Sequence, residues 1–149
     1  MNVDVENNQS SLPICPLAVQ KIVHAVLRRE DIQCDEVAIH FVDTPTICQM
    51  HAKFFSDPSS TDCISFPIDR TGIIGYLPLG DVFVCPETAL LYAQQHSKTT
   101  PYKELTLYII HGLLHLIGYD DISKDDRKLM KLAEKRHLEF LKRHGLWLQ

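Results

Sequence analysis

The 149-residue sequence predicts an α+β fold: one compact domain, with a small mixed β-sheet packed by helices around a central buried helix. Three observations lead there. The length suits one domain, and a chain of this size needs neither disulfide nor metal to fold. Helical and strand spacings alternate along it. The segment Leu105 to Ile117 is apolar almost all round, which marks a helix that other elements surround.

The elements follow in order. Val3–Val5 reads as a short first strand. Pro16 to Arg29 is a helix, with Leu17, Val19, Ile22, Val23, Val26 and Leu27 near helical spacing. Val37–Val42 is a strand. Thr44 is then an N-cap, and Pro45 opens a helix to about Phe55. Asp57-Pro58-Ser59-Ser60 is loop chemistry. Asp62–Phe66 is a strand closed by Pro67, and the segment Thr71 to Gly80 connects it to a strand at Asp81–Cys85. Pro86 starts a helix to about His96. Thr100 caps, and Pro101 opens, the apolar helix that Gly118 ends. Ser123 caps a last helix that ends near Gly145.

The net charge of −4 is unevenly spread. Residues 1–123 carry 7 Lys/Arg against 15 Asp/Glu, a net of −8, whereas residues 124–149 carry 8 against 4, a net of +4. A basic footprint over the whole domain is therefore absent; the basic last helix reads on charge alone as a solvated charged face, with local contact to a polyanion as the alternative. Five cysteines, with no C-x-x-C pair, fit neither a disulfide framework nor a cysteine zinc site. They predict reduced thiols in a cytoplasmic protein. The start MNVDVENNQSS lacks the charged and apolar regions of a signal peptide, and no segment predicts a membrane span.

The chemistry-bearing segment is HGLLHLIGYDD, residues 111–121. His111 and His115 are four apart, so a helix projects both from one face. Gly118 can end the helix and turn the chain back. Asp121 then falls ten positions after His111, the third-ligand spacing of H-E-x-x-H-x-x-G-x-x-H proteins. Two imidazoles and a carboxylate suit one zinc ion with an open coordination position. Position 112 is Gly, where metallopeptidases carry a general-base Glu, so peptide hydrolysis is disfavoured.

These residues resemble the H-G-x-L-H-L-x-G-Y-D-H signature of the YbeY family of bacterial rRNA maturation factors. TDCISFP (61–67) is similar to that family's T-D-V-L-S-F-P segment, and LGDVFV (79–84) to its L-G-D-I-x-I strand. The resemblance implies a zinc-dependent, single-strand-specific endoribonuclease. It implies action in ribosomal RNA maturation, at the small-subunit 3′ end, and in ribosome quality control. The implied partners are ribosomal RNA and the ribosome or its associated proteins. It also implies that His111, His115 and Asp121 ligate one zinc ion.

Two positions depart from the family pattern. The third ligand is usually His, and Asp121 makes the ligand set more negative and the ion less electrophilic. The family's Asn-x-x-Tyr-Arg places its Asn at His51 and its Arg at Phe55, so a phosphate clamp is missing unless Lys53 or Arg70 supplies it. Asp81 is a further catalytic candidate, to orient water or substrate. Asp120 and Asp62 read as turn residues, and Ser65 has no adjacent base. Lys128, Lys131, Lys135 and Arg136 are candidates for phosphate contact. The second function class is a metal-binding ribosome-assembly or RNA-binding factor with little catalysis.

Overall fold

The computed structural model describes residues 1–149. Its elements are β1 (Asn2–Asn8), α1 (Pro16–Arg29), β2 (Glu36–Val42), α2 (Thr44–Phe55), β3 (Cys63–Pro67), β4 (Pro78–Val84), α3 (Pro86–Gln95), α4 (Pro101–Leu116) and α5 (Lys124–Arg143). One sheet holds all four strands in the order β1-β2-β4-β3. β1 and β4 both run parallel to β2, and β3 is antiparallel to β4, so the sheet is mixed as expected.

The sheet divides the core in two. Val37, Ile39 and Phe41 of β2, with Leu79, Val82 and Val84 of β4, join α1, α4 and α5 in the main core. Val42, Ile64 and Cys85 meet Ile47 of α2 on the opposite face, where Phe66 and Phe83 complete a smaller cluster. α4 is the central helix, with nine buried residues, and Val82, Cys63 and Ser65 press against its Gly112.

Element ends are set by local chemistry. Thr100 Oγ1 accepts from Lys103 N at 3.1 Å, and Ser123 Oγ from Asp126 N at 3.0 Å, as the sequence leads one to expect. The cap of α2 is instead Asp43, whose Oδ1 accepts from Thr46 N at 2.9 Å, so Thr44 is already helical. β1 is seven residues long because each of them finds a parallel partner in β2. β4 begins at Pro78, three residues before the predicted start. Proline is tolerated at a strand's first position. A bulge follows, because two residues of β4 stand between the pairs Glu36–Pro78 and Ala38–Asp81 where β2 has one. Gly80 occupies it at φ +144°, with the Phe66 carbonyl where a Cβ would sit. No helix is long and apolar enough to cross a membrane, and all five cysteines are free thiols.

Candidate metal centre

α4 presents His111 and His115 one turn apart, and the chain then reverses. Gly118 takes φ +109°, while Gly118 N donates to His115 O and Tyr119 N to Leu114 O. The turn continues at Asp120, whose Oδ1 accepts from the backbone N–H of Asp121 and of Ile122. Asp120 is thus a turn residue, and it directs Asp121 back toward the histidines.

The three ligand atoms converge. His111 Nε2 and His115 Nε2 lie 3.0 Å apart, and Asp121 Oδ2 lies 3.6 and 3.4 Å from them. Tetrahedral zinc with nitrogen and oxygen ligands at about 2.1 Å sets those atoms about 3.4 Å apart, so the triangle has the right edges. The far side of each ring fixes its tautomer. His115 Nδ1–H donates to the Tyr119 carbonyl at 3.1 Å, and His111 Nδ1–H to Glu134 Oε1 of α5 at 2.6 Å. Both Nε2 atoms therefore turn lone pairs into the same space, where two acceptors and a carboxylate repel unless a cation lies between them. The donor set fits a metal ion, and His111, His115 and Asp121 are together the group that could hold one. Burial disfavours the His111 imidazolium, yet the Glu134 contact and the charges of Asp62 and Asp121 outweigh it and raise its pKa above the usual value.

A cavity of about 320 Å³ opens beside His115. His51, Phe55, Cys63, Ser65 and Pro67 also line it. His51 is held by its Nδ1–H to Ser59 O at 2.9 Å. Ser65 Oγ donates to the Gly112 carbonyl at 2.9 Å and has no base beside it. Burial pushes the Cys63 thiol far up, so it is no nucleophile. Phe55 is 53% exposed at the rim, with no cation in the lining.

The other catalytic candidates, Asp81 and Lys53, stand outside this cavity. Asp81 follows Gly80 and precedes Val82, which packs on α4, so its side chain points to the opposite face of the sheet. There its Oδ1 meets His40 Nε2 at 2.8 Å. Lys53 lies over the exposed Phe54 ring at 5.3 Å, and Arg70 Nη1 donates to Gln33 O at 2.9 Å. Neither cation lines the cavity. Asp62 is exposed.

The ligand-bearing turn is braced from behind, which sequence reasoning missed. Tyr119 Oη donates to Glu30 Oε1 at 2.6 Å, while Arg136 and His137 of α5 reach Glu30 Oε2 at 3.3 and 2.9 Å. Burial pushes the Glu30 carboxyl up, but these three donors outweigh it and hold the pKa below the ordinary value of 4.5. Burial keeps His137 neutral, below its ordinary 6.5, against the pull of Glu30. Both groups thus bind protons more readily in the unfolded chain than in the folded one. Their stabilisation is complete above pH 6.5, declines as the unfolded imidazole charges, and declines again as pH falls below 4.5. Urea unfolding at about pH 5.5 and 3.5 is expected to show a midpoint that falls with pH, with Glu30→Gln flattening the fall.

A family model described as endoribonuclease YbeY matches residues 4–142. An endoribonuclease YbeY of Protochlamydia amoebophila is 46% identical over 147 residues, spanning 99% of this chain and 97% of its own. The endoribonuclease YbeY of Chlamydia trachomatis serovar D is 36% identical over 146 residues, spanning 97% and 91%. A Thermotoga maritima protein solved in solution shares the fold, with a TM-score of 0.61 at 22% identity over 93% of this chain and 87% of that one. The helix and turn that bring His111, His115 and Asp121 together thus sit within a match that runs nearly end to end, and the chain belongs to the YbeY endoribonuclease family.

Proposed function

We propose that this chain is a zinc-dependent endoribonuclease that cleaves single-stranded RNA in the cytoplasm, in ribosomal RNA maturation and ribosome quality control. The observation that carries the reading is the convergence of both Nε2 lone pairs and Asp121 Oδ2, with each Nδ1 already committed. His111, His115 and Asp121 would hold the ion. When bound, it supplies a Lewis acid for a phosphodiester oxygen. Glu134 fixes the His111 ring and raises its basicity, and the Tyr119 carbonyl orients the His115 ring. The cavity beside His115 offers the open side of the site, with the Phe55 ring at its rim.

The same position favours a second reading. Phe55 stands where the family carries Arg, and no Lys or Arg lines the cavity. Such a site favours a metal-binding ribosome-assembly factor with weak cleavage. Purified protein incubated with single-stranded and duplex RNA, before and after chelation and zinc return, separates the two. Cleavage of the single strand that stops on chelation and resumes with zinc is expected. Cleavage indifferent to chelation sinks the zinc reading, and metal-loaded protein that never cuts selects the assembly factor. End-group analysis adds whether the RNA's own 2′-hydroxyl attacks, since that route leaves a 2′,3′-cyclic phosphate.

A further inference from the structure

The face of α4 that carries the ligands extends away from them. Lys103, Leu107, His111 and His115 recur every fourth residue. α5 runs antiparallel alongside, with Glu134 at His111 and Lys142 near Lys103. Between the two helices lies a furrow of about 340 Å³, floored by Leu107, Leu138 and Trp147. Lys131 and Lys135 continue it into a second hollow of about 530 Å³ along α5. Seven Lys/Arg and three Asp/Glu line the two hollows, and one of the acids, Glu134, is already bound to His111.

Trp147 is the only tryptophan of the chain. It is half-buried against the main core. Its neighbour Leu148 is buried, and Leu148 N donates to Thr106 Oγ1 at 3.0 Å, so the indole is held in place. Lys103 Nζ and Lys142 Nζ each stand 5.8 Å from the ring, at the outer limit of cation–π contact.

A flat apolar platform between spaced ammonium groups matches an unpaired strand, which alternates base and phosphate. A duplex hides its base faces, and an acidic peptide has nothing flat to stack. From Lys103 to His111 is eight residues, about 12 Å along the helix, so a strand seated here points at the ligands. We infer that the furrow docks the single-stranded RNA flanking the cleavage point, with a base on Trp147 and phosphates on Lys103, Lys131, Lys135 and Lys142. This rests on the endoribonuclease reading and extends it to the position of the substrate.

The test uses the full chain and a non-cleavable 2′-O-methyl oligonucleotide. Because Trp147 is the sole indole, its fluorescence reports the furrow directly, and binding is expected to quench it. Trp147→Leu is expected to raise Kd about tenfold. The double substitution of Lys103→Gln with Lys142→Gln, at the surface, is expected to reduce the slope of log K against log salt by about 1.4. Oligonucleotide binding without quenching, at unchanged affinity in Trp147→Leu, overturns the proposal. Equal quenching by polyphosphate of matched charge overturns the stacking on Trp147. Cleavage is read separately on ordinary RNA. Cleavage without quenching rejects the furrow and leaves the nuclease, whereas quenching without cleavage does the reverse.

Discussion

His111→Ala is expected to remove bound zinc and RNA cleavage together, leaving the fold intact. The side chain is 26% exposed, and its polar contacts are confined to Glu134 and the other two ligands. Its loss leaves one imidazole and one half-exposed carboxylate, too few for a stable site. The metal-to-protein ratio, by mass spectrometry on dialysed protein, is expected to fall from one to near zero. Cleavage is expected to fall by more than about 100-fold, beyond the effect of losing a supporting contact. Glu134→Ala gives the graded companion, because it frees the His111 ring without deleting it. Its expected cost is about 10–100-fold in metal affinity. A full complement of metal in His111→Ala, with normal circular dichroism, refutes the ligand assignment.

Gly112→Ala is expected to destabilise the chain, although Ala is the better helix former. A Cβ at this position would lie 2.4 Å from Val82 Cγ1 and 2.8 Å from Cys63 Sγ. Those atoms belong to the sheet on which α4 packs, so the helix must move away or the strands must yield. Overpacking of this kind costs about 1–3 kcal/mol, and the gain in helix propensity returns about 1. The net loss of about 1 kcal/mol lowers Tm by about 3 °C in a domain of this size. A variant that melts at or above the wild-type temperature contradicts the close packing of α4 on β3 and β4. The same crowding explains the missing peptidase base. Position 112 faces strands, with no room for a glutamate.

Much of the fold was legible because its punctuation is local. Pro16, Pro45, Pro86 and Pro101 mark helix starts, and Gly118 marks the end of α4. The start of β4 was not, because its bulge arises from pairing with β2, which no local pattern announces. The convergence of His111, His115 and Asp121 was legible because all three lie on one helix and its turn. Glu134 was missed because its partner is 23 positions away on a helix that reads as a charged surface. A signal existed nonetheless. Met130, Ala133, His137 and Leu141 form the buried stripe of α5, and Glu134 sits on it, where a carboxylate needs a partner. The direction of Asp81, toward His40, was legible too, through strand alternation with Val82.

The brace behind the ligands has a consequence for timing. Tyr119 joins Glu30 across 89 positions, and His111 leans on Glu134 of the last helix. During synthesis the sheet and both histidines leave the ribosome before the glutamate that steadies one of them has been translated. A nascent chain can therefore fold most of its body while the group that could hold an ion is still unfinished. Assembly of the site waits for the end of translation, and a premature stop before α5 leaves both histidines without the Glu134 contact.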